Sequence, residues 1–235
     1  MADGGLPFET APGGYTRTLA RVEDYFDRTA TRTWERLTSD APVSGIRATV
    51  RAGRDRMRAV LMAQLPADLT GARVLDAGCG TGSVAVELAA RGAEVVAVDI
   101  SPALIGIARR RCPEGLAGRI DFRAGDMLDA GLGRFDHVLA MDSLIYYDTA
   151  TVARVLDGLA ERTEGAVLFT LAPRTALLMA MWRVGQLFPR SDRSPTMIPQ
   201  DPARVGAALT GATLRQIERV TAGFYISTAL EVRRC

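Results

Sequence analysis

The 235-residue sequence predicts an α/β fold: a doubly wound sheet of seven mostly parallel strands, with helices ahead of it and a helical insertion after the fifth strand. Three observations lead there. Short runs such as "VVAV" (Val95 to Val98) are continuously apolar, as parallel strands covered on both faces must be. Strand-like and helix-like segments alternate through the middle of the chain. The first strand-like segment, "RVLDAG", runs straight into a turn with Gly at every second position.

The elements follow in order. Residues 1–14 are rich in Gly and Pro and are expected to be flexible. Residues 15–66 read as an Arg-rich helical cap with a turn near Asp40-Ala41-Pro42, and Ser44 to Leu65 forms one long helix capped by Ser44. Residues 67–235 read as the ligand-binding domain. In it, "RVLDAG" is a strand, Gly82 to Arg91 a helix, "AEVVAVDI" a strand, and Ser101 to Arg111 a helix with Ser101 as cap and Pro102 in its first turn. "RIDFRAGD" and "RFDHVLAMDS" are the third and fourth strands, Thr149 to Glu161 a helix, and "GAVLFTLAP" the fifth strand. Residues 174–201 form the insertion. A short helix (Pro202 to Leu209) then precedes two closing strands, "TLRQIERVT" and "FYISTALEVRR", joined at Ala222-Gly223, which bring an antiparallel member into the sheet.

Bulk composition narrows the class. A net charge of +2 gives no basic stripe for nucleic acid. All 29 basic residues are Arg, so no Lys exists for a phosphate-binding loop or a Schiff base. Cys79, Cys112 and Cys235 are far apart, with neither metal-binding spacing nor a disulfide framework. Together with the lack of a secretory leader, this points to a reducing cytoplasm. No segment has the run of about 18 apolar residues that a membrane span needs.

The loop "DAGCGTG" raises the question of which nucleotide it holds. A dinucleotide fingerprint spaces its glycines differently from Gly78, Gly80 and Gly82. Asp76, at the strand's end, would repel a diphosphate and attract an ammonium. S-adenosyl-L-methionine joins a nucleoside to a cationic amino-acid tail and satisfies both demands. Gly78, Cys79 and Gly80 then carry backbone close to the ligand. Asp99 and Ile100 follow the second strand, where an acidic residue takes ribose hydroxyls. Asp126 and Met127 follow the third strand and suit the amino group and the face of an adenine. Met141 and Asp142 end the fourth, beneath the reactive sulfur. All lie at carboxyl ends of parallel strands, where ligands bind in such sheets.

Asp76-x-Gly78-x-Gly80 followed by Asp99 resembles the class I methyltransferases. Over nearly the whole chain the sequence also resembles one family within them, the magnesium-protoporphyrin O-methyltransferases. The discriminating stretches are Tyr25 to Arg58, "DSLIYY" (Asp142 to Tyr147), and Leu171 to Pro195. The resemblance implies methyl transfer from S-adenosylmethionine to one propionate of magnesium-protoporphyrin IX in chlorophyll or bacteriochlorophyll synthesis, with S-adenosyl-L-homocysteine as coproduct. It implies that Tyr15 and Tyr25 close onto the cofactor, with Tyr25 and Tyr146 the catalytic candidates. Many relatives carry His where this chain has Tyr146, so an acid–base role is not carried over; the Tyr hydroxyl can still orient the propionate by a hydrogen bond. It also suggests the porphyrin-binding subunit of magnesium chelatase as a partner and a location peripheral to the photosynthetic membrane.

Thr175 to Phe188 places apolar side chains at helical spacing over roughly 21 Å, too short to span a bilayer. The reading preferred here is a lid on a porphyrin cleft that uses Leu178, Met179 and Trp182; a core helix or shallow membrane contact are the alternatives. Arg174, Arg190 and Arg193 flank it as candidates for the non-reacting propionate. Trp34 reads as a core anchor. His137 should pack into the fourth strand, and Cys79 has no nucleophilic task. Three rival functions stay open: a methyltransferase for a quinone or polyketide, a cofactor-binding scaffold without activity, and, more distantly, a dehydrogenase that Asp76 disfavours.

Overall fold

The computed structural model describes residues 15–30, 45–174 and 197–235. Helix α1 (Tyr15–Asp24) runs directly into a π-helical turn, Tyr25–Ala30, and α2 spans Gly45–Met62. Then β1 (Arg73–Ala77), α3 (Ser83–Ala90), β2 (Glu94–Asp99), α4 (Pro102–Arg111), β3 (Ile120–Ala124) and β4 (His137–Ala140) alternate, followed by α5 (Thr149–Glu161) and β5 (Val167–Leu171). The chain closes with α6 (Pro202–Ala208), β6 (Ala212–Ala222) and β7 (Tyr225–Arg234).

The seven strands form one sheet in the order β3-β2-β1-β4-β5-β7-β6. All pairings are parallel except those of β7, which lies antiparallel between β5 and β6. The hairpin turns at Ala222 and Gly223, as expected, but its second strand enters the sheet first and leaves β6 at the edge. The winding direction reverses at β1 and β4, so the crevice where ligands bind in such sheets lies at their carboxyl ends.

One apolar layer joins Leu75, Val138, Phe169 and Leu230 to Leu156 and Leu159 of α5 and Val205 of α6. The other joins Val74, Leu139 and Leu168 to Met57 and Leu61 of α2 and Leu88 of α3. Met57 and Leu61 have no solvent exposure, worth roughly 1.5–3 kcal/mol each. Half of the expected amino-terminal cap is therefore a layer of the sheet, since α2 packs along β6 and β7.

Strand and helix boundaries move by a few residues, for local reasons. α2 ends at Met62 rather than Leu65, because Gln64 and Leu65 tighten onto carbonyls three residues back as the chain approaches Pro66. β4 stops at Ala140 because Asp142 adopts a left-handed φ of 57°. Ser101 caps α4 as expected, its hydroxyl accepting from Leu104 N at 3.2 Å. His137 opens β4 half-buried, at the end of the sheet away from the crevice, with Ala166 N donating to its Nδ1 at 3.4 Å. Residues 1–14, Trp34, Ser44 and Thr175 to Phe188 lie outside the described residues, as do Arg190 and Arg193.

Candidate functional site

A cleft of about 460 Å³ opens at the carboxyl ends of β1, β2 and β4, within the range of nucleotide-sized ligand sites. Its floor is the glycine loop. Gly78 (φ +81°) and Gly80 (φ +54°) both have left-handed backbone, which Gly adopts without strain. A side chain on Gly78 would lie 2.4 Å from Ser143 Cβ, whereas the corresponding position at Gly80 faces open space.

Four of the loop's backbone N–H groups are already used. Gly78 N and Cys79 N donate to Val98 O at 2.8 and 3.0 Å, Gly82 N donates to Cys79 O at 2.9 Å, and Gly80 N donates to Asp99 Oδ2 at 2.8 Å. A diphosphate would need such donors pointing at it. Instead the loop presents Asp76, 1 % exposed, whose Oδ2 is buried with no hydrogen-bond partner among the described residues. Burial first, and then the charge of Asp99, pushes the Asp76 carboxyl up to about 7, against the pull of the Ala85 N–H. An acid so placed gains from a cation that donates hydrogen bonds, so the residues present fit an ammonium.

Asp99 ends β2 on the same rim. It accepts from Gly80 N and from Ser101 N, the latter at 2.9 Å on Oδ1. Burial raises it to about 6, held down by those two N–H groups. Ile100, Met127 and Met141 line the cleft. Asp126 does not. Its Oδ1 accepts from Leu128 N and, at 2.6 Å, from the hydroxyl of Tyr15, and the wall beside it is made by Gly125 and Met127. Tyr15 also stacks on Tyr147, with ring centroids 5.2 Å apart. Cys79 is buried, and burial raises its thiol, which keeps it neutral and unsuited to nucleophilic work.

The amino-terminal segment closes one side through Leu19, Val22 and Phe26. Asp27 pins it there, accepting from Ser101 Oγ and from Ala103 N at the start of α4. Tyr25 stands outside the lining, edge-on to Phe26 at 5.2 Å, while Tyr146 is in the lining with its ring 6.3 Å from that of Phe26. Burial and the charge of Asp142 raise the Tyr146 phenol, which keeps it protonated near neutrality.

Asp142 anchors a network that sequence reasoning did not assemble. Thr170 Oγ1 donates to its Oδ1 at 3.0 Å, Tyr225 OH lies 3.1 Å from the same oxygen, and Arg54 of α2 pairs with Oδ2. Arg51, Arg54 and Arg58 line the cleft from α2, with Arg58 paired to Asp55 at 3.0 Å and Glu87 at 3.1 Å. A helical spacing of three and four was the signal that could have found them. Arg174 is exposed, and Leu178, Met179 and Trp182 fall outside the described residues.

Comparison with known proteins identifies the family. Residues 140–234 match a family model described as the magnesium-protoporphyrin IX methyltransferase C-terminus, and residues 74–164 match a methyltransferase domain. A curated magnesium-protoporphyrin O-methyltransferase of Rhodobacter capsulatus is 58% identical, over 94% of this chain and 99% of its own. One from Synechocystis is 31% identical, over 91% and 95%. The crystal structure of magnesium protoporphyrin IX methyltransferase from Synechocystis with bound SAH superposes with a TM-score of 0.77, at 31% identity over 92% of this chain and 99% of that one. Identity and coverage at this level, on a fold and cleft of the expected kind, place this chain in the magnesium-protoporphyrin O-methyltransferase family.

Proposed function

We infer that this chain is an S-adenosylmethionine-dependent O-methyltransferase that esterifies one propionate of magnesium-protoporphyrin IX, in bacteriochlorophyll or chlorophyll synthesis. The observation that carries this reading is the buried Asp76 Oδ2, which has no hydrogen-bond partner among the described residues, beside a loop in which the N–H groups of Gly78, Cys79, Gly80 and Gly82 are already bonded. That loop suits an amino-acid ammonium and is a poor seat for a diphosphate.

When bound, S-adenosylmethionine supplies a methyl group on a sulfonium cation. Asp76 receives the ammonium, Asp99 the ribose hydroxyls, and Ile100 and Met127 flank the adenine. A propionate, like a Glu side chain, is ionised at neutral pH, so no residue has to remove a proton from it. The chain's tasks are alignment and exclusion of water, because opposite charges cancel as the methyl moves and water would favour keeping them apart. Phe26, Val22 and Met141 supply the dry wall. Tyr146 turns the propionate by donating to one of its oxygens, and Tyr25 backs the wall through Phe26.

Residues 174–201 serve as the substrate lid in this reading, with Trp182 on the macrocycle and Arg174, Arg190 or Arg193 near the second propionate. The porphyrin-binding subunit of magnesium chelatase delivers the acceptor at the membrane surface; among the described residues no helix is long and apolar enough to cross a membrane. Incubation with methyl-labelled S-adenosylmethionine and magnesium-protoporphyrin IX, followed by mass spectrometry, tests the assignment. The expected product is a labelled monomethyl ester, and its absence at saturating cofactor would refute the assignment.

A further inference from the structure

Among the described residues, three large apolar side chains are exposed to water: Phe224 at 64%, Ile46 at 58% and Met197 at 48%. A single exposed apolar residue is ordinary on a protein surface. These three share one end of the sheet, the end at which the cleft opens. Phe224 forms the tip of the β6–β7 hairpin, and β6 runs in the same direction as β5, so that tip stands at the carboxyl ends of the parallel strands. Ile46 opens α2 beside it. A side chain on Gly223 would meet Thr49 Oγ1 at 2.6 Å, and that hydroxyl donates to Ile46 O at 2.8 Å. Met197 precedes Ile198, whose N donates at 2.8 Å to Ile145 O, beyond the end of β4. Arg174 lies between, its N donating to Gln200 O at 2.9 Å. Leu171 pairs with Thr228 of antiparallel β7, so the chain leaving β5 toward Arg174 climbs alongside the start of β7. The exposed Arg47 and Arg174 therefore stand in one row with the three apolar tips. No Asp or Glu occurs in residues 45–54 or 219–227.

A standard protein partner would cover about 800 Å² of continuous surface on each side. Three apolar tips on three separate elements suit instead a fluid that closes around each of them, and the Arg side chains match an anionic headgroup layer. We propose that this row docks the protein on an anionic lipid surface, with Phe224, Ile46 and Met197 entering the acyl boundary and Arg47 and Arg174 among the headgroups. The mouth of the cleft then faces the bilayer, and a flat apolar acceptor held at the membrane surface reaches it without crossing bulk water. That consequence rests on the methyltransferase reading above; the docking surface stands apart from it.

The test floats the full-length protein with vesicles of phosphatidylcholine, alone or mixed with phosphatidylglycerol, at low and high salt. Wild type should bind the mixed vesicles, and bind more weakly on the neutral lipid and in high salt. Phe224→Ser and Ile46→Ser should each lower partitioning by about tenfold, and Arg47→Gln by about fivefold. Arg110→Gln removes the same charge from the exposed last turn of α4, at the opposite end of the sheet, and should leave binding unchanged. All four variants should take up S-adenosylhomocysteine as wild type does, which shows that they fold. Wild type that floats with neither lipid, apolar variants that float as wild type does, or an equal loss in Arg110→Gln would overturn the proposal. So would wild type that ignores vesicles yet self-associates in sedimentation velocity while Phe224→Ser stays monomeric, since the row would then belong to a second copy of this chain. A protein that floats as expected but binds no S-adenosylhomocysteine would refute the methyltransferase reading and leave the docking surface in place.

Discussion

The hydroxyl of Tyr225 lies 3.1 Å from the carboxylate of Asp142, although 83 positions separate them in the chain. The contact exists because β7 enters the sheet beside β5, which carries Tyr225 against α2 and toward the crevice. Tyr225→Phe removes a donor from a charged acceptor and should cost about 1.5–3 kcal/mol, seen as a lower melting temperature and a lower kcat/KM. Gly53→Ala should cost a comparable amount by overpacking against the same ring, about 1–3 kcal/mol. Wild-type melting and kinetics in both variants would show that the network is ornamental to stability and catalysis.

Asp99→Ala should weaken S-adenosylhomocysteine binding by about 1–3 kcal/mol, because it removes a charged acceptor from the ribose and frees the Gly80 and Ser101 N–H groups. Calorimetry checks this. Unchanged affinity would mean that the ribose lies elsewhere.

The raised acids make a pH prediction with a definite sign. Asp76 at about 7 and Asp99 at about 6 bind protons in the folded protein that the unfolded chain has already lost above the usual carboxylate range. Stability of the ligand-free protein should therefore fall as pH rises from about 4 to about 7 on account of these two groups, and level off above. Binding of an ammonium prefers ionised Asp76, so affinity for S-adenosylhomocysteine should rise over the upper part of the same window. Thermal melts with and without ligand across that range should converge at the acid end. A ligand-induced shift that grew toward low pH would contradict the assignment of Asp76.

Tyr146→Phe should lower kcat/KM for the acceptor by about ten- to a hundredfold, the worth of one hydrogen bond to a charged oxygen, and leave cofactor affinity unchanged. The activity–pH profile should keep its shape, since the raised phenol is no base near neutrality. Loss of several orders of magnitude would show that this position carries a proton after all.

What could be read from the chain was whatever lies close together along it. The strands declared themselves by apolar runs, Ser101 by its place before Pro102, and the cofactor loop by Asp76 and two glycines within five residues. Asp142 was legible as a strand-end acid, but Arg54, Thr170 and Tyr225 were not its evident partners. They reach it from 88, 28 and 83 positions away, through the packing of α2 on β7 and the insertion of β7 beside β5. Tyr15 and Asp126 were each marked as cofactor contacts, while the fold pairs them with one another. Local pattern names the groups at a site; which of them share a hydrogen bond depends on strand order and helix approach, which no short window contains.

The central claim is that the Asp76 cleft takes a cationic amino-acid tail where similar folds take a diphosphate. Calorimetric titration of the full-length protein with S-adenosylhomocysteine and with a nicotinamide dinucleotide, near pH 6.5 in two buffers of different ionisation enthalpy, tests it directly. The account predicts binding of S-adenosylhomocysteine with release of protons, and no heat from the dinucleotide. Uptake of the dinucleotide by a protein that ignores S-adenosylhomocysteine would contradict it.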